Sequence, residues 1–405
     1  MQVSFKPIHW KFRMPIAWRR SRCAERTPFV RQHLRHQYKR SLSALSGITF
    51  ACILIYLQLG FLDAVLQTAT HLYSRLDFDL VLNSQEALES TLPYTIRREQ
   101  LASTRGVIGV ASVAPLDIGY KQWKNPRNGR NRAVLVLGID PDNTLIQLQA
   151  MKGELSLLSR PDSIFIDTKS RKEYGFDFYS TSPSSWAQVG RRREQVVGAY
   201  ELGPSLRYDG SILTGDQNFR RIFSNYSNEV TSLGLVKLVP NADLQAVKHK
   251  IEALLPGQVR VLTRREAIER DKRYWLSSTS IGYVFGIGAF MGLVVGFVIV
   301  GQIMNADVAS HLGVYATLLA IGYQKHRVMS IIVRLGCVLS LLALLPSLVG
   351  AQLLYTITNL ATGLPMHLSI WRILIVFALS LLMGGGSARL AAQRVLLADP
   401  AVLFR

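Results

Sequence analysis

Three stretches of this chain carry no charged side chain over lengths that a water-soluble helix does not need. Ser41–Leu62 is uncharged over 22 residues, Ser277–Asn305 over 29 and Leu335–Trp371 over 37. A membrane-spanning helix takes about 20 apolar residues. The last run is too long for one helix at 1.5 Å rise per residue, and Gly363 and Pro365 mark where it divides. The expected layout is therefore four spans, at 41–63, 277–304, 328–355 and 370–392. A domain over 64–276, a loop over 305–327 and a short loop over 356–369 connect them, with a tail over 393–405. Trp371-Arg372 mark the outer interface of the last span. Arg334 is placed to snorkel to the inner side, and Pro346 to kink the third span.

Charge placement orients the spans. Residues 1–40 hold eleven Lys/Arg against one acid, Glu25, which is half of the formal net charge of +20. A polybasic segment is a nucleic-acid signal or the cytoplasmic flank of a span. Lys39-Arg40 lie directly before the first apolar run, which favours the flank and gives no reason to expect nucleic acid. The segment is too long for the n-region of a cleaved signal peptide, and the apolar run is too long for an h-region. Both termini are then expected in the cytoplasm and residues 64–276 outside it. The three cysteines, Cys23, Cys52 and Cys337, all avoid that domain. Charged residues are 18% and hydrophobic residues 49% of the chain, with mean hydropathy +0.18. These values exclude disorder.

The large loop has a mixed α+β pattern. Strands are expected at Asp77–Leu82, in two pieces within Gly106–Tyr120 around Pro115, and at Ala133–Ile139, Ser163–Asp167 and Gln195–Tyr200. A helix-like run follows Asp140-Pro141-Asp142 as far as Met151. The clearest unit is a strand at Leu233–Val239, a helix over Ala242–Leu255 capped by Asn241, a turn at Pro256-Gly257 and a strand at Val259–Leu262. Thr263 then caps a helix running toward Trp275 and the second span. Such a connection is either a stalk or a path for motion. Arg191-Arg192-Arg193 read as a solvated loop.

Nucleotide and hydrolytic chemistry have no sequence support. There is no G-x-x-x-x-G-K-[ST], no H-E-x-x-H, no C-x-x-C and no G-x-S-x-G. No metal or cofactor site is expected. Asp63 is read at the outer edge of the first span and Asp307 just past the second, so a proton relay is poorly supported. Two features remain. Gly282 and Gly286 form a small-xxx-small pair, and Gly288, Gly292 and Gly296 form a ladder on one helix face, a candidate helix-packing or dimer seam. Asp307–Tyr323 places Leu312, Tyr315, Leu318, Leu319 and Gly322 at three-to-four spacing, as in a short amphipathic helix ended by Gly322. Its apolar face has three possible seats: a separate protein, the membrane surface or the chain's own first helix.

Several short motifs, in order and at matching spacing, resemble one family. They are Leu57-Gln58-Leu59-Gly60-Phe61 with Asp63-Ala64, residues 79–83, 112–124 and 138–142, His311-Leu312 with Tyr315-Ala316-Thr317-Leu318 and Ala320-Ile321-Gly322-Tyr323, and the terminal Ala398-Asp399-Pro400-Ala401 with Phe404-Arg405. Together they resemble DevC-type permeases of the FtsX/MacB superfamily. The resemblance implies an α-helical integral membrane protein of the bacterial inner membrane, with four transmembrane helices and an α+β, MacB-like periplasmic domain. It implies a permease subunit, not an enzyme, working as a homodimer with a separate ABC ATPase that binds the ATP. A periplasmic membrane-fusion adaptor, a TolC-like outer-membrane channel and a lipid-like substrate, glycolipid in one branch, are implied too. The alternative is an FtsX-like transducer that switches a cell-wall hydrolase. In the exporter reading Leu312, Tyr315, Thr317, Leu318, Gly322 and Tyr323 couple the permease to its ATPase, with Tyr315 as the anchor. Val314 and Leu319 depart from the family, which carries charges at both positions.

Overall fold

The structure is a computed structural model, and it describes residues 38–143, 154–181, 185–205, 207–255, 257 and 259–397. Most of the basic N-terminal segment, the run to Met151, Pro256 and the terminal Ala398–Arg405 motif lie outside the described residues.

Four helices are long and apolar enough to cross a membrane. The first span is part of the helix Tyr38–Ala69, the second is Ser280–Ser310, the third Lys325–Thr362 and the fourth Ile370–Leu397. They pack as a ring in the order first, second, fourth, third. Ile48, Cys52, Ile55, Met304, Ile332, Leu339 and Met383 fill the centre. The third span departs from its expected bounds. No breaker interrupts residues 356–362, so the helix continues through the expected loop to Thr362, and Gly363 stops it at φ +73°. Pro346 lies inside this helix without ending it.

Between the first and second spans lies the α+β domain. Its strands are β1 Leu80–Ser84, β2 Ile96–Arg97, β3 Val110–Lys124, β4 Asn131–Ile139, β5 Ser163–Asp167, β6 Trp186–Val189, β7 Arg192–Tyr200, β8 Ser211–Gly215, β9 Val230–Thr231, β10 Leu233–Leu238 and β11 Val259–Thr263. Nine of them form one sheet in the order β11-β1-β10-β3-β4-β8-β5-β7-β6, and β2 pairs with β9. The end of β3 also pairs with β6, Trp123 opposite Val189. That pairing closes β3-β4-β8-β5-β7-β6 into a ring. The domain thus has a smaller open-sheet lobe and a larger closed lobe, and β3 belongs to both.

The two pieces expected around Pro115 are one strand. Pro115 pairs with Gly234 of β10, while pairing with β4 begins only at Leu116. At Pro115 the second edge of the strand has no partner, which is where a residue without an N–H is tolerated. β4 is buried on both faces. Val134 and Val136 face the core with Trp123 and Phe219, and Leu135 and Leu137 face the core with Phe78 and Leu235. A continuous apolar run is the expected signature of such a strand. The helix cap also differs from expectation. Asn241 takes a left-handed conformation, φ 64°. Asp243 caps Leu244–Leu254 instead, its carboxylate accepting from the N–H of Gln245 and Ala246. The shorter side chain-to-backbone reach from position 243 satisfies the first-turn donors.

A charged network joins the lobes. Arg98 donates to Asp117 on β3 at 3.0 Å and reaches Asp216 at 3.5 Å, and Arg220 pairs with Asp216 at 3.1 Å. Burial pushes the Asp117 carboxyl up, opposed by Thr231 and the two arginines.

Candidate functional site

The loop between the second and third spans forms the helix Leu312–Ala320. His311 breaks it from the second span; its ring lies 2.9 Å from the Asp307 carbonyl. At the other end Gly322 takes φ +100°. Gly322 N–H bonds Leu319 O at 3.1 Å and Tyr323 N–H bonds Leu318 O at 3.0 Å. This is a Schellman stop built on the glycine the sequence supplies.

The helix seats its apolar face on its own bundle. Tyr315 is 0% exposed and clusters with Met304, Val308, Val328 and Ile332 at the ends of the second and third spans. Leu312, Leu318 and Leu319 pack beside it. Asp307, expected just past the second span, is a buried residue within that helix. Thr317, Gly322 and Tyr323 face outward with Val314 and Ile321, the last 72% exposed, followed by exposed Lys325, His326 and Arg327. Among the candidate coupling residues, then, Thr317, Gly322 and Tyr323 are exposed, Leu312 and Leu318 are half-buried against the bundle, and Tyr315 alone is in its core. The sequence pattern identified the helix; it could not say which body its apolar face meets.

The glycine ladder is also occupied from within the chain. A Cβ on Gly288 would lie 2.6 Å from Gln58, one on Gly292 3.3 Å from Ile55, and one on Gly296 2.7 Å from Ala51. All three of those neighbours are on the first span. A second close crossing, absent from the sequence reading, joins the third and fourth spans at Gly336 and Gly384, where Ser340 donates to the Gly336 carbonyl at 3.0 Å. Its visible signal was the Gly384-Gly385-Gly386 run. Absence of side chains lets helix backbones approach and gain dispersion contacts in lipid.

At the domain end of the bundle, beside exposed Trp371, Arg372 is buried among the spans. It donates to Asp63 of the first span and lies over the Tyr355 ring of the third, 5.8 Å from its centroid. Tyr355 in turn donates to the Tyr56 carbonyl, and Gly60 leaves room for its ring. Gln67 donates to the same Asp63 carboxylate at 2.7 Å. One ion pair therefore fastens three spans together.

The domain joins the second span without a flexible linker. Thr263 and Glu266 form a capping box on the helix Arg264–Arg273. A π-helical turn, Tyr274–Ser278, follows, and Thr279 caps the second span by accepting from the Ile281 N–H. Asp271 sits inside this junction, accepting from the Ser90 N–H at 3.2 Å. Burial pushes its carboxyl up to about 7, with Ser90 opposing. Arg207 pairs with buried Glu89 at 2.5 Å and lies over Trp275. Among the described residues no cluster of His, Cys, Asp or Glu could hold a metal.

Three solved structures resemble parts of the chain at low similarity: the extracellular domain of the noncanonic ABC-type transporter YknZ from Gram-positive bacteria, the periplasmic region of MacB from Actinobacillus actinomycetemcomitans, and a domain of a putative permease from Porphyromonas gingivalis. Identities are 15%, 8% and 11%, and TM-scores 0.34, 0.35 and 0.32. The matches cover 46%, 47% and 46% of this chain and 98%, 92% and 89% of theirs. No curated protein matches the sequence. The last three spans and the loop helix carry the family signal: residues 276–400 match the family described as FtsX-like permease C-terminal.

Proposed function

We propose that the chain is the membrane subunit of an ABC exporter whose ATPase is a separate chain, and that it converts ATPase motion into motion of its extramembrane domain. The observation that carries this reading is the run of abutting helices from the loop helix, through the second span, into the π-helical turn and the capped helix Arg264–Arg273, in which single residues, His311 and Thr279, make the breaks. The FtsX-like permease match over 276–400 supports it, as does the missing phosphate-binding motif in the sequence. In this reading the basic N-terminus, the loop helix and the C-terminus are cytoplasmic, and the domain is periplasmic. The ATPase meets the outward surface of Val314, Thr317, Ile321 and Tyr323 with the cations of 325–327. Two copies serve a pair of ATPase subunits. A membrane-fusion adaptor and an outer-membrane channel carry a lipid-like substrate onward. The test is co-purification of the full chain with an ATPase encoded beside it, with ATP hydrolysis measured with and without the permease. A permease that neither binds nor stimulates that ATPase overturns the reading.

A further inference from the structure

The closed lobe rests beside the domain end of the third span, and the two enclose a cleft of about 420 Å³. Its upper wall is the loop carrying Lys169, Arg171 and Lys172; its lower wall is Leu360–Gly363. The height of this cleft follows from helix geometry. At 1.5 Å per residue, Leu360 stands about 39 Å along the helix from exposed Arg334. A bilayer is about 30 Å across its hydrocarbon and about 40–45 Å with its headgroups. With Arg334 at one interface, the cleft opens in the opposite headgroup layer. Below it the third span exposes Val349, Leu353, Ile357 and Leu360, the last 84% exposed.

An apolar stripe ending in a cleft with cations above it has the polarity of a phospholipid. The cations are only partly neutralised. Lys169 is 3.8 Å from Glu201, an exposed pair of the kind that contributes little. Arg171 meets Asp209 through Nε at 3.0 Å, and its side chain stays 45% exposed. Lys172 has no carboxylate partner among the described residues, although Glu173 lines the same cleft. Asn125 donates to the Glu173 carbonyl at 2.7 Å, which brings the β3–β4 hairpin with exposed Arg130 to the same side. We infer that this cleft binds an anionic phospholipid of the surrounding membrane, its phosphate against Lys172 and Arg171 and an acyl chain along Ile357 and Leu360. The inference is independent of the exporter reading, since it needs only the spans and the lobe above them.

The test is native mass spectrometry of the full chain in mild detergent, counting retained phosphatidylglycerol and phosphatidylcholine offered at equal concentration. The parent should retain phosphatidylglycerol in preference. Lys172→Glu, on an exposed side chain, should cut that retention about fivefold or more, with thermal unfolding unchanged. Leu360→Ser should reduce both lipids. Unchanged phosphatidylglycerol retention in Lys172→Glu overturns the site. Displacement by inorganic phosphate combined with no effect of Leu360→Ser shows a simple anion site and overturns the lipid assignment.

Discussion

Arg372, in the first turn of the fourth span, holds the carboxylate of Asp63 near the end of the first span. The guanidinium is buried, and the carboxylate is 40% exposed. Removing one partner of a buried pair strands the other charge. Because Asp63 reaches solvent, we expect Arg372→Gln to cost about 1–3 kcal/mol, less than a wholly buried pair would. Thermal unfolding in detergent measures it. The double variant Asp63→Asn/Arg372→Gln should lose less than the sum of the singles; simple additivity would show that the pair does not couple.

The glycines of the second span should differ in tolerance. Gly296→Ala meets the Cβ of Ala51, which cannot move without its helix, and the Met383 sulfur. Overpacking of this kind costs about 1–3 kcal/mol. Gly288→Ala meets only the amide end of Gln58, a side chain free to turn aside. Unfolding temperatures should fall clearly for the first variant and little for the second. Equal losses would place the seam elsewhere.

Tyr315 and Ile321 should separate stability from coupling. Tyr315→Ala empties a fully buried site and should cost about 3–5 kcal/mol of stability. Ile321→Asp changes an exposed residue and should leave unfolding unchanged. In the proposed function it should weaken ATPase co-purification by about tenfold or more, as loss of an interface anchor does. Tyr323→Ala should act in the same direction. Normal ATPase binding by both Ile321→Asp and Tyr323→Ala would remove the docking surface from this loop.

Stability should depend on Asp271. Its carboxyl is raised to about 7 in the folded chain, so between its ordinary carboxylate value and neutrality the folded state holds a proton that the unfolded state has released. Stability from this group is therefore full at low pH and is lost as pH rises toward and through 7. Asp271→Asn mimics the protonated acid. It should raise the unfolding temperature at pH 7.5 and flatten its change between pH 5 and 7.5. A variant with the parent's pH profile would assign that dependence to other groups.

Local signals were legible in the sequence where one residue or one run decides the structure. Uncharged runs located the spans, Ser163–Asp167 read as the strand it is, and Gly322 read as the stop of the loop helix. Long-range pairing was not legible. Pro115 suggested a break because its tolerance depends on β4 starting one residue later. Asn241 suggested a cap because it is a good capping residue, although its left-handed backbone puts Asp243 in that role. The inward face of Tyr315 and the Arg372–Asp63 pair depend on which helices touch, and amphipathic spacing carries no partner identity.

Leu116 of β3 stands directly opposite Leu233 of β10, and one step on, Ser232 Oγ accepts from the Ile118 N–H at 3.0 Å. The chain leaves for the closed lobe and returns from it at neighbouring points of one ladder. The lobe is therefore inserted at one point of the ladder, yet it shares a core with the sheet beneath it, where Leu135 and Leu137 meet Phe78 and Leu235. A two-residue turn such as Asn-Gly between antiparallel neighbours would replace residues 117–232 in backbone register alone, because Phe78 and Leu235 would lose Leu135 and Leu137 from their core and β2 would lose its partner β9. Arg98 would lose both carboxylates it now contacts and would need a neutral replacement. The ladder thus fixes where the lobe enters and leaves the sheet, while the shared core makes the packing of each depend on the other.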